Sequence, residues 1–147
     1  MKIALASDHA GFEMKVFLKK NLVKEHEITD IGTFSCEPVD YAPLSIRAAE
    51  EVAAGRCERA VIICGTGIGS SIAANKVKGI RAALCHCKDF ALLSREHNNA
   101  NVLVLPGRFI AHQLAAEIVS LWLATPFSNA ERHIKRIEQI KDYEERR

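Results

Sequence analysis

The sequence predicts an α/β protein, a three-layer α/β/α sandwich around a five-stranded parallel sheet. Short apolar runs alternate with longer amphipathic stretches along all 147 residues, and this alternation is typical of βαβ units. Strands joined by right-handed helical crossovers pair in parallel, so helices cover both faces of the sheet. No internal repeat, low-complexity tract or linker interrupts the pattern, and residues 1–147 are expected to form a single domain.

Five short apolar runs are predicted as strands. The first, KIALAS, and the third, AVIIC, are almost continuously apolar, as expected of strands that are buried on both faces. The others read EITDIG, IRAALC and NVLVLP. In chain order, the predicted strands cover residues 2–7, 27–32, 60–64, 80–85 and 101–106.

Six longer stretches between and after these runs are predicted as helices. In the first of them, Phe12, Val16 and Val23 recur at roughly helical spacing with lysines between them. The fifth has apolar residues on more than one face, so one face can pack on the sheet while another meets a partner. The predicted helices cover residues 11–25, 43–54, 69–78, 88–97, 108–124 and 130–146, and residues 33–43 form the one long loop.

Composition and charge exclude several classes of protein. The chain is 48% hydrophobic and 26% charged, which is ordinary for a globular protein, and its formal net charge of +2 is too small to indicate a nucleic-acid partner. The amino-terminal apolar run is too short for a signal peptide or a membrane span. We therefore expect a cytoplasmic protein that acts without nucleic acid or membrane.

Cysteine usage argues against a disulfide framework. The five cysteines, Cys36, Cys57, Cys64, Cys85 and Cys87, are odd in number and irregularly spaced. The segment CHCK at 85–88 has no second cluster at zinc-like spacing, so we expect no metal site. Most of these cysteines are expected to be small buried hydrophobes.

Two polar, glycine-containing segments are predicted to meet at one edge of the sheet. Doubly wound, Rossmann-like sheets bind ligands beyond the carboxyl ends of their strands, where the winding reverses. In the common strand orders the first strand lies between the second and the third. The crevice would then be lined by SDHAG at 7–11 and CGTGIGSS at 64–71.

The glycine-rich segment matches neither common nucleotide-binding fingerprint. Counting the dinucleotide pattern from Gly65 places Ser70 at its last position, and counting from Gly67 places Ile72 there. The P-loop lysine is also missing. Consecutive backbone N–H groups in a tight turn nevertheless form an anion nest, and glycines let a ligand approach closely. A tight turn without any ligand is the alternative.

Cys64 ends the third predicted strand, directly before this turn. A nearby nest of amides favours the thiolate form of a cysteine. A thiolate in this place suits nucleophilic attack on a carbonyl, or removal of a proton from the carbon beside a carbonyl while the amides hold the enolate oxygen. The residues alone do not choose between these reactions, and a purely structural cysteine remains the third alternative.

The motifs together resemble the type B sugar-phosphate isomerases, a family that includes ribose-5-phosphate, galactose-6-phosphate and allose-6-phosphate isomerases. The similarity is strongest to the ribose-5-phosphate isomerase B group and extends from Lys2 to about Arg147. The segments that carry it occur in the family's order: SDHAGF, DYA, ICGTGIGSSIAANKVKGIRAALC, LSREHNNANVLVLPGR and RHIKRI.

This resemblance implies proton transfer between two carbons of a sugar phosphate. In the family, ribose 5-phosphate and ribulose 5-phosphate, which belong to the pentose phosphate pathway, interconvert through a cis-enediolate without metal or organic cofactor. By similarity Cys64 is the base. The enediolate oxygen would be held by the backbone amides of Gly65, Thr66, Gly67, Ile68 and Gly69. One branch of the family uses a glutamate at the position of Ser70 instead, so this chain resembles the cysteine branch.

The resemblance also assigns the opening of the sugar ring. His97 would protonate the ring oxygen, while Asp8 and Thr66 would handle the anomeric hydroxyl. A histidine suits acid catalysis near neutral pH. The alternatives are structural: His97 could simply end a helix, and Asp8 could cap the helix that begins near Gly11.

Phosphate binding is assigned to arginines. Arg132 and Arg136 are four residues apart on the last predicted helix and face the same side, while Ile134, Ile137 and Ile140 form another stripe that is expected to pack. A solvated basic face is the alternative. By similarity the two arginines bind the phosphate together with His9 and Arg108.

The remaining polar residues of the motifs receive lesser roles. By similarity Asn98 hydrogen-bonds sugar hydroxyls and Tyr41 lies near the site. His86, His112 and His133 are expected to be structural or surface residues.

Two departures from the family occur where the length of the sugar could be sensed. Most relatives have a Gly-Gly pair before the phosphate arginines, whereas this chain reads FSNAERH, and DYAPLS shifts the proline that usually follows the tyrosine. Hexose 6-phosphates such as allose or galactose 6-phosphate are therefore alternative substrates. A non-catalytic phosphosugar-binding subunit and a flavodoxin-like cofactor carrier are the rival interpretations.

Family members are dimers or tetramers whose sites lie between subunits. The resemblance therefore implies a homo-oligomer with shared sites. We expect Cys64 to come from one subunit and Arg108 from the other.

Overall fold

The computed structural model describes residues 1–147 and alternates strands and helices in the predicted order. Five strands and six helices are present. In chain order they are β1 (Lys2–Ser7), α1 (Phe12–Leu22), β2 (Glu27–Gly32), α2 (Tyr41–Ala53), β3 (Arg59–Cys64), α3 (Ile68–Ala74), β4 (Ala82–Leu84), α4 (Lys88–Glu96), β5 (Val102–Pro106), α5 (His112–Ala124) and α6 (Glu131–Glu145).

All five strands form one parallel sheet in the order β2-β1-β3-β5-β4. The predicted α/β fold with a five-stranded parallel sheet is confirmed, as is the position of β1 between β2 and β3. Ser7 pairs with Ile63, and Cys64 pairs with Pro106. The carboxyl ends of the three central strands therefore meet at one edge, which we call the carboxyl edge. The opposite edge, where the strands begin, is the amino edge.

Side chains that alternate along the central strands build two cores, one on each face of the sheet. Ile3, Leu5, Val61 and Ile63 pack on one face against α1 and α5, whose largest buried side chain is Trp122. Three alanines, Ala4, Ala6 and Ala60, together with Ile62 face α2 and α3 on the other side. This arrangement is the predicted three-layer sandwich.

Several predicted boundaries were wrong because side-chain and turn interactions set them. Helix α5 begins at His112 rather than at 108, since a turn follows β5 in which the Phe109 amide donates to the carbonyl of Pro106. Helix α3 ends at Ala74 rather than at 78, where the Asn75 side chain bonds both backbone groups of Ala82. Tyr41 opens α2 instead of lying in the loop, and β4 covers only residues 82–84.

Helix α6 lies along the amino edge and packs less closely than predicted. Its carboxyl end is held by Glu144, whose carboxylate accepts the Gly79 N–H at 3.0 Å through Oε1 and at 2.9 Å through Oε2. The isoleucine stripe is only partly covered, since Ile134 is 36% and Ile140 56% exposed. The expectation that this stripe packs within the chain is therefore wrong for most of its length. No helix combines the length and the apolar character that a bilayer crossing requires.

Candidate active site

The turn after β3 presents a buried thiol beside unpaired amides. Cys64 is 3% exposed. Gly67 adopts φ +78°, a left-handed conformation that glycine tolerates, and any side chain there would overlap Leu84. The amides of Gly65, Thr66, Gly67 and Gly69 donate no hydrogen bond within the chain, whereas that of Ile68 donates to Thr66 Oγ1 at 3.2 Å. The turn is thus an open cluster of donors.

The segment after β1 lies against the end of β3, as the strand order predicted. A Cβ atom on Gly11 would approach the Ile63 carbonyl oxygen to 2.5 Å, so only glycine fits there. Asp8 is 7% exposed and accepts the Gly11 N–H through Oδ1 at 3.0 Å, which is the capping role considered above. Only this one carboxylate oxygen is engaged within the chain, and the other remains available to a ligand.

His9, which follows β1, and Tyr41, at the start of α2, close the same region. His9 Nδ1 lies 3.1 Å from the Val39 nitrogen and 3.3 Å from the Val39 carbonyl oxygen, so the long loop holds the ring while Nε2 has no partner in the chain. The Tyr41 ring lies directly over Gly69, where a Cβ would come within 2.6 Å of the phenol oxygen. The structure therefore places Tyr41 beside the glycine-rich turn.

Ser70 is turned away from this region. Its side chain is fully buried, and its hydroxyl accepts a hydrogen bond from Ser45 Oγ at 2.9 Å. The position at which the other branch of the family has a glutamate therefore offers no base here, and Cys64 is the only thiol at the turn.

Arg108 lies on the same side and in the same chain as Cys64. Its amide donates to the Gly65 carbonyl at 3.0 Å, and a Cβ on Gly65 would lie 3.1 Å from its guanidinium nitrogen Nη1. The expectation that Arg108 is supplied to Cys64 by a second subunit is therefore wrong. The short turn from β5 at Pro106 leads Arg108 directly onto the glycine loop.

His97 and Asn98 lie at the amino edge instead. Helix α4 runs antiparallel to the strands, so its last turn ends beside the points where they begin. The carbonyl of Asn98 accepts from Arg81, which directly precedes β4, and the carbonyl of Asn101 accepts the amide of Ala60 in β3. Asn99 ends the helix with φ +45°, so the structural role of a helix carboxyl terminus is also present.

The start of α6 adds two arginines and a histidine to this edge. Arg132 and Arg136 are exposed. His133 is 3% exposed, and its ring stacks on that of His97 with centroids 4.2 Å apart and an angle of 34°. Burial, together with the charges of His97, Arg132 and Arg136, lowers the pKa of His133. The prediction that His133 is a mere structural or surface residue missed this contact.

The predicted site residues therefore form two separate groups. We call Asp8, His9, Tyr41, Cys64–Gly69 and Arg108 the carboxyl-edge group. His97, Asn98, Arg132 and Arg136 are the amino-edge group. Strand β5 separates the two, and its five residues at about 3.3 Å each correspond to roughly 16 Å. A single chain does not bring them together.

The departure before the arginines has a local explanation. Asn129 adopts φ +56°, the left-handed conformation that a glycine would otherwise supply and that asparagine tolerates. The Ser128 hydroxyl accepts the Ala130 N–H at 3.2 Å, and α6 begins at Glu131. The chain thus makes this turn without a Gly-Gly pair.

The segment CHCK at 85–88 does not provide a reactive thiol or a metal site. Burial raises the pKa of Cys85 to about 11, which disfavours its thiolate. His86 stacks edge-on against Phe90, and no group of three potential metal ligands forms anywhere in the chain.

The chain is similar to known proteins over nearly its whole length. The chain is 43% identical to ribose-5-phosphate isomerase B of Escherichia coli (strain K12), over 99% of the chain and 98% of that protein. Among solved structures, ribose-5-phosphate isomerase B of Clostridium thermocellum superposes with a TM-score of 0.97 at 45% identity, over 99% of both chains. The Mycoplasma genitalium enzyme with bound ribulose-5-phosphate gives 0.92 at 37% identity, over 98% and 96%.

The family model for ribose/galactose isomerases matches residues 3–140, nearly the whole chain. This match includes every residue of both groups, from Asp8 to Arg136. The chain therefore belongs to the ribose/galactose isomerase family.

Proposed function

We propose that this protein is an aldose–ketose isomerase that interconverts ribose 5-phosphate and ribulose 5-phosphate. The observation that carries the proposal is Cys64, a buried thiol beside four backbone amides without partners in the chain. A base next to a cluster of oxyanion donors suits proton abstraction from the carbon beside a carbonyl. Relatives named for this activity match over nearly their whole length.

In the proposed reaction the Cys64 thiolate removes the C2 proton of open-chain ribose 5-phosphate. The electron pair of the C2–H bond forms the C1–C2 double bond, and the C1 carbonyl oxygen becomes the enediolate oxygen. The amides of Gly65, Thr66, Gly67 and Gly69 would stabilise this charge. The proton of the C2 hydroxyl then passes to the C1 oxygen, Cys64 returns its proton to C1, and C2 becomes the carbonyl of ribulose 5-phosphate.

Ring opening precedes this step, because ribose 5-phosphate is mostly cyclic. His97 would give a proton to the ring oxygen as its bond to C1 breaks. Asp8, whose second carboxylate oxygen is free, would accept the proton of the anomeric hydroxyl with help from the exposed Thr66. Asn98 would hydrogen-bond the sugar hydroxyls, and Tyr41 would line the crevice beside Gly69.

We further propose that the complete site forms between two copies of the chain. His97 and Cys64 lie at opposite edges of the sheet, separated by about the length of β5, and a two-fold dimer can bring the amino-edge group of one copy to the carboxyl-edge group of the other. Exposed apolar side chains on α3 and α6 would be covered by such a partner: Ile68 at 56%, Ile72 at 58%, Ile140 at 56% and Tyr143 at 65%.

Phosphate would be held across this interface. Arg132 and Arg136 of one copy would provide charged hydrogen bonds from the start of α6. His9 and Arg108 of the other copy would face them from the carboxyl edge. Base, oxyanion donors, acid and phosphate arginines are all present, which argues against a non-catalytic phosphosugar-binding subunit and favours an enzyme.

The direct test is isomerisation of ribose 5-phosphate in deuterium oxide, followed by NMR. An isomerase that works through a solvent-exchangeable base converts the sugar and incorporates deuterium at the transferred position. A binding protein leaves both the sugar and its isotopes unchanged, and this result would refute the proposal.

A hexose 6-phosphate is the second candidate substrate. The sequence Ser128–Asn129–Ala130 replaces the usual glycines beside the phosphate arginines, where the length of the sugar matters. Rates with ribose 5-, allose 6- and galactose 6-phosphate, measured side by side, distinguish the two. A higher kcat/KM on either hexose phosphate would replace the pentose assignment.

A further inference from the structure

The ring of His97 has no hydrogen bond within the chain, and its one recorded aromatic contact is with His133. The centroids of the two rings are 4.2 Å apart. His97 itself is half-buried at the end of α4, where its amide donates to the Leu93 carbonyl at 2.9 Å while its ring has no hydrogen-bond partner. The His133 ring is therefore the main element of the chain that can define the orientation of His97.

His133 is in turn fixed by the segment that precedes α6. Ser128 Oγ lies 2.7 Å from His133 Nδ1 and also accepts the Ala130 N–H at 3.2 Å. The hydroxyl therefore bridges the His133 ring and the backbone that precedes α6. The Ser128 amide donates to the Glu96 carbonyl at 3.1 Å, which ties this segment to the end of α4. Ser128 thus links His133 to the helix that carries His97.

From this geometry we infer that Ser128 and His133 are positioning residues, which hold His97 in the orientation needed to protonate the ring oxygen of the sugar. The inference rests on the proposed function. Neither residue needs to touch the substrate. The stacked ring restricts rotation of the His97 side chain, and the Ser128 hydroxyl prevents the stacked ring from turning.

The charges around the pair fit this role. His133 faces His97, Arg132 and Arg136, with Glu96 as the one nearby carboxylate, and burial and these positive groups lower its pKa. The lowered pKa favours the neutral form of His133, so this ring competes less for the proton that His97 would transfer.

The consequence is specific to one step. Opening of cyclic ribose 5-phosphate needs a correctly placed His97, whereas proton exchange at C1 of ribulose 5-phosphate does not. In ribulose 5-phosphate the phosphate occupies O5, the oxygen that would close a five-membered ring, so this ketose is open-chain. Its enediolate forms at Cys64 without any ring opening.

The test compares both readouts for three variants. His133→Ala should lower kcat for ribose 5-phosphate isomerisation by about tenfold or more, within the range for a displaced acid, with little change in KM. Deuterium exchange at C1 of ribulose 5-phosphate should stay within about twofold of wild type. Ser128→Ala should lower kcat for isomerisation less than His133→Ala does, and it should also leave the exchange rate nearly unchanged. His133→Phe, which keeps a stacked ring, should retain most of the wild-type isomerisation.

Lys135→Ala is the matched control, because Lys135 is exposed on the same helix two residues from His133. It should leave both readouts unchanged. If His133→Ala lowers isomerisation and exchange equally, His133 serves the fold or the phosphate arginines, and the inference is wrong. Unchanged isomerisation in His133→Ala also overturns it. If the wild-type protein shows neither isomerisation nor exchange, the proposed function itself fails.

Discussion

The guanidinium group of Arg108 lies over Gly65 of the same chain. A Cβ atom on Gly65 would be 3.1 Å from Arg108 Nη1, and the Arg108 amide donates to the Gly65 carbonyl at 3.0 Å. This contact joins Arg108 to the turn that Cys64 opens. It determines how a shared site would divide between two copies: Cys64 and Arg108 belong to one, and His97 with the α6 arginines to the other.

Cys64→Ala is expected to lower kcat by roughly 10²- to 10⁴-fold, the usual contribution of a positioned base. Binding of a phosphorylated hydroxamate that mimics the enediolate should survive, because the amides of the turn remain. Steady-state kinetics and calorimetry measure the two effects. Near-normal turnover in this variant would exclude Cys64 as the base.

Cys36→Ala is the matched control, because Cys36 is exposed in the loop before α2 while Cys64 is buried. It should leave turnover unchanged. Thiol alkylation is best measured in the Cys36→Ala variant, because the exposed Cys36 would otherwise react first. In this variant, substrate should slow inactivation by an alkylating reagent.

Arg136→Ala is expected to raise KM for the sugar phosphate far more than it changes the free energy of unfolding. Each charged hydrogen bond to the phosphate is worth about 1.5–3 kcal/mol, and the exposed side chain makes no hydrogen bond within the chain. Any small activity on unphosphorylated ribose should be unaffected. An equal loss on both sugars would make Arg136 a structural residue.

Asp30→Asn is expected to destabilise the fold by about 3–5 kcal/mol at pH 7, because it leaves a buried lysine without its counter-ion. Lys15 is 1% exposed, and its Nζ lies 2.6 Å from Asp30 Oδ1. Burial alone would raise the pKa of Asp30, but hydrogen bonds from Lys15, Lys19 and the Gly32 amide outweigh it and lower that pKa.

The loss in this variant should depend on pH. A lowered pKa in the folded state contributes stability above the ordinary aspartate pKa of about 3.9, and this contribution is lost as the pH falls through the folded value. Urea unfolding of wild type and variant should therefore converge at acid pH. Glu117→Gln, which removes an exposed pair with Lys88, should cost less than about 1 kcal/mol. A loss for Asp30→Asn that is small at pH 7 would contradict the pairing.

Most of the fold was predictable, because strands buried on both faces appear in the sequence as continuous apolar runs. The first strand, KIALAS, and the third, AVIIC, have the predicted bounds to within one residue. Nothing in the local sequence indicates that β5 lies next to β3 while β4 forms the edge of the sheet. The end of α3 was not predictable either, since it depends on a contact between Asn75 and Ala82 that only the tertiary structure creates.

The sequence motifs name the residues of the candidate site, but they do not show how these residues are divided between the two edges of the sheet. The motifs contain Cys64, Arg108 and His97, but a motif does not state at which edge a residue lies. One signal was available: His97 ends a helix that follows a strand, and such a helix returns the chain to the amino edge. The stacking of His133 on His97 could not be foreseen, because it depends on how α6 packs.

The division of the site between two copies is the central claim, and mixed dimers test it most directly. In a dimer of Cys64→Ala with His97→Ala, one shared site receives both substitutions and the other receives none. Random reassortment of equal amounts makes half of the dimers mixed, so activity should recover to roughly a quarter of wild type.

Cys64→Ala mixed with Arg108→Ala is the matched control, because both substitutions fall in the carboxyl-edge group and every site in the mixed dimer carries one of them. Co-expressed pairs, with mixed dimers quantified by mass, provide the measurement. The account predicts recovery for the first pair and none for the second. Recovery with Arg108→Ala, or its absence with His97→Ala despite mixed dimers, would contradict it.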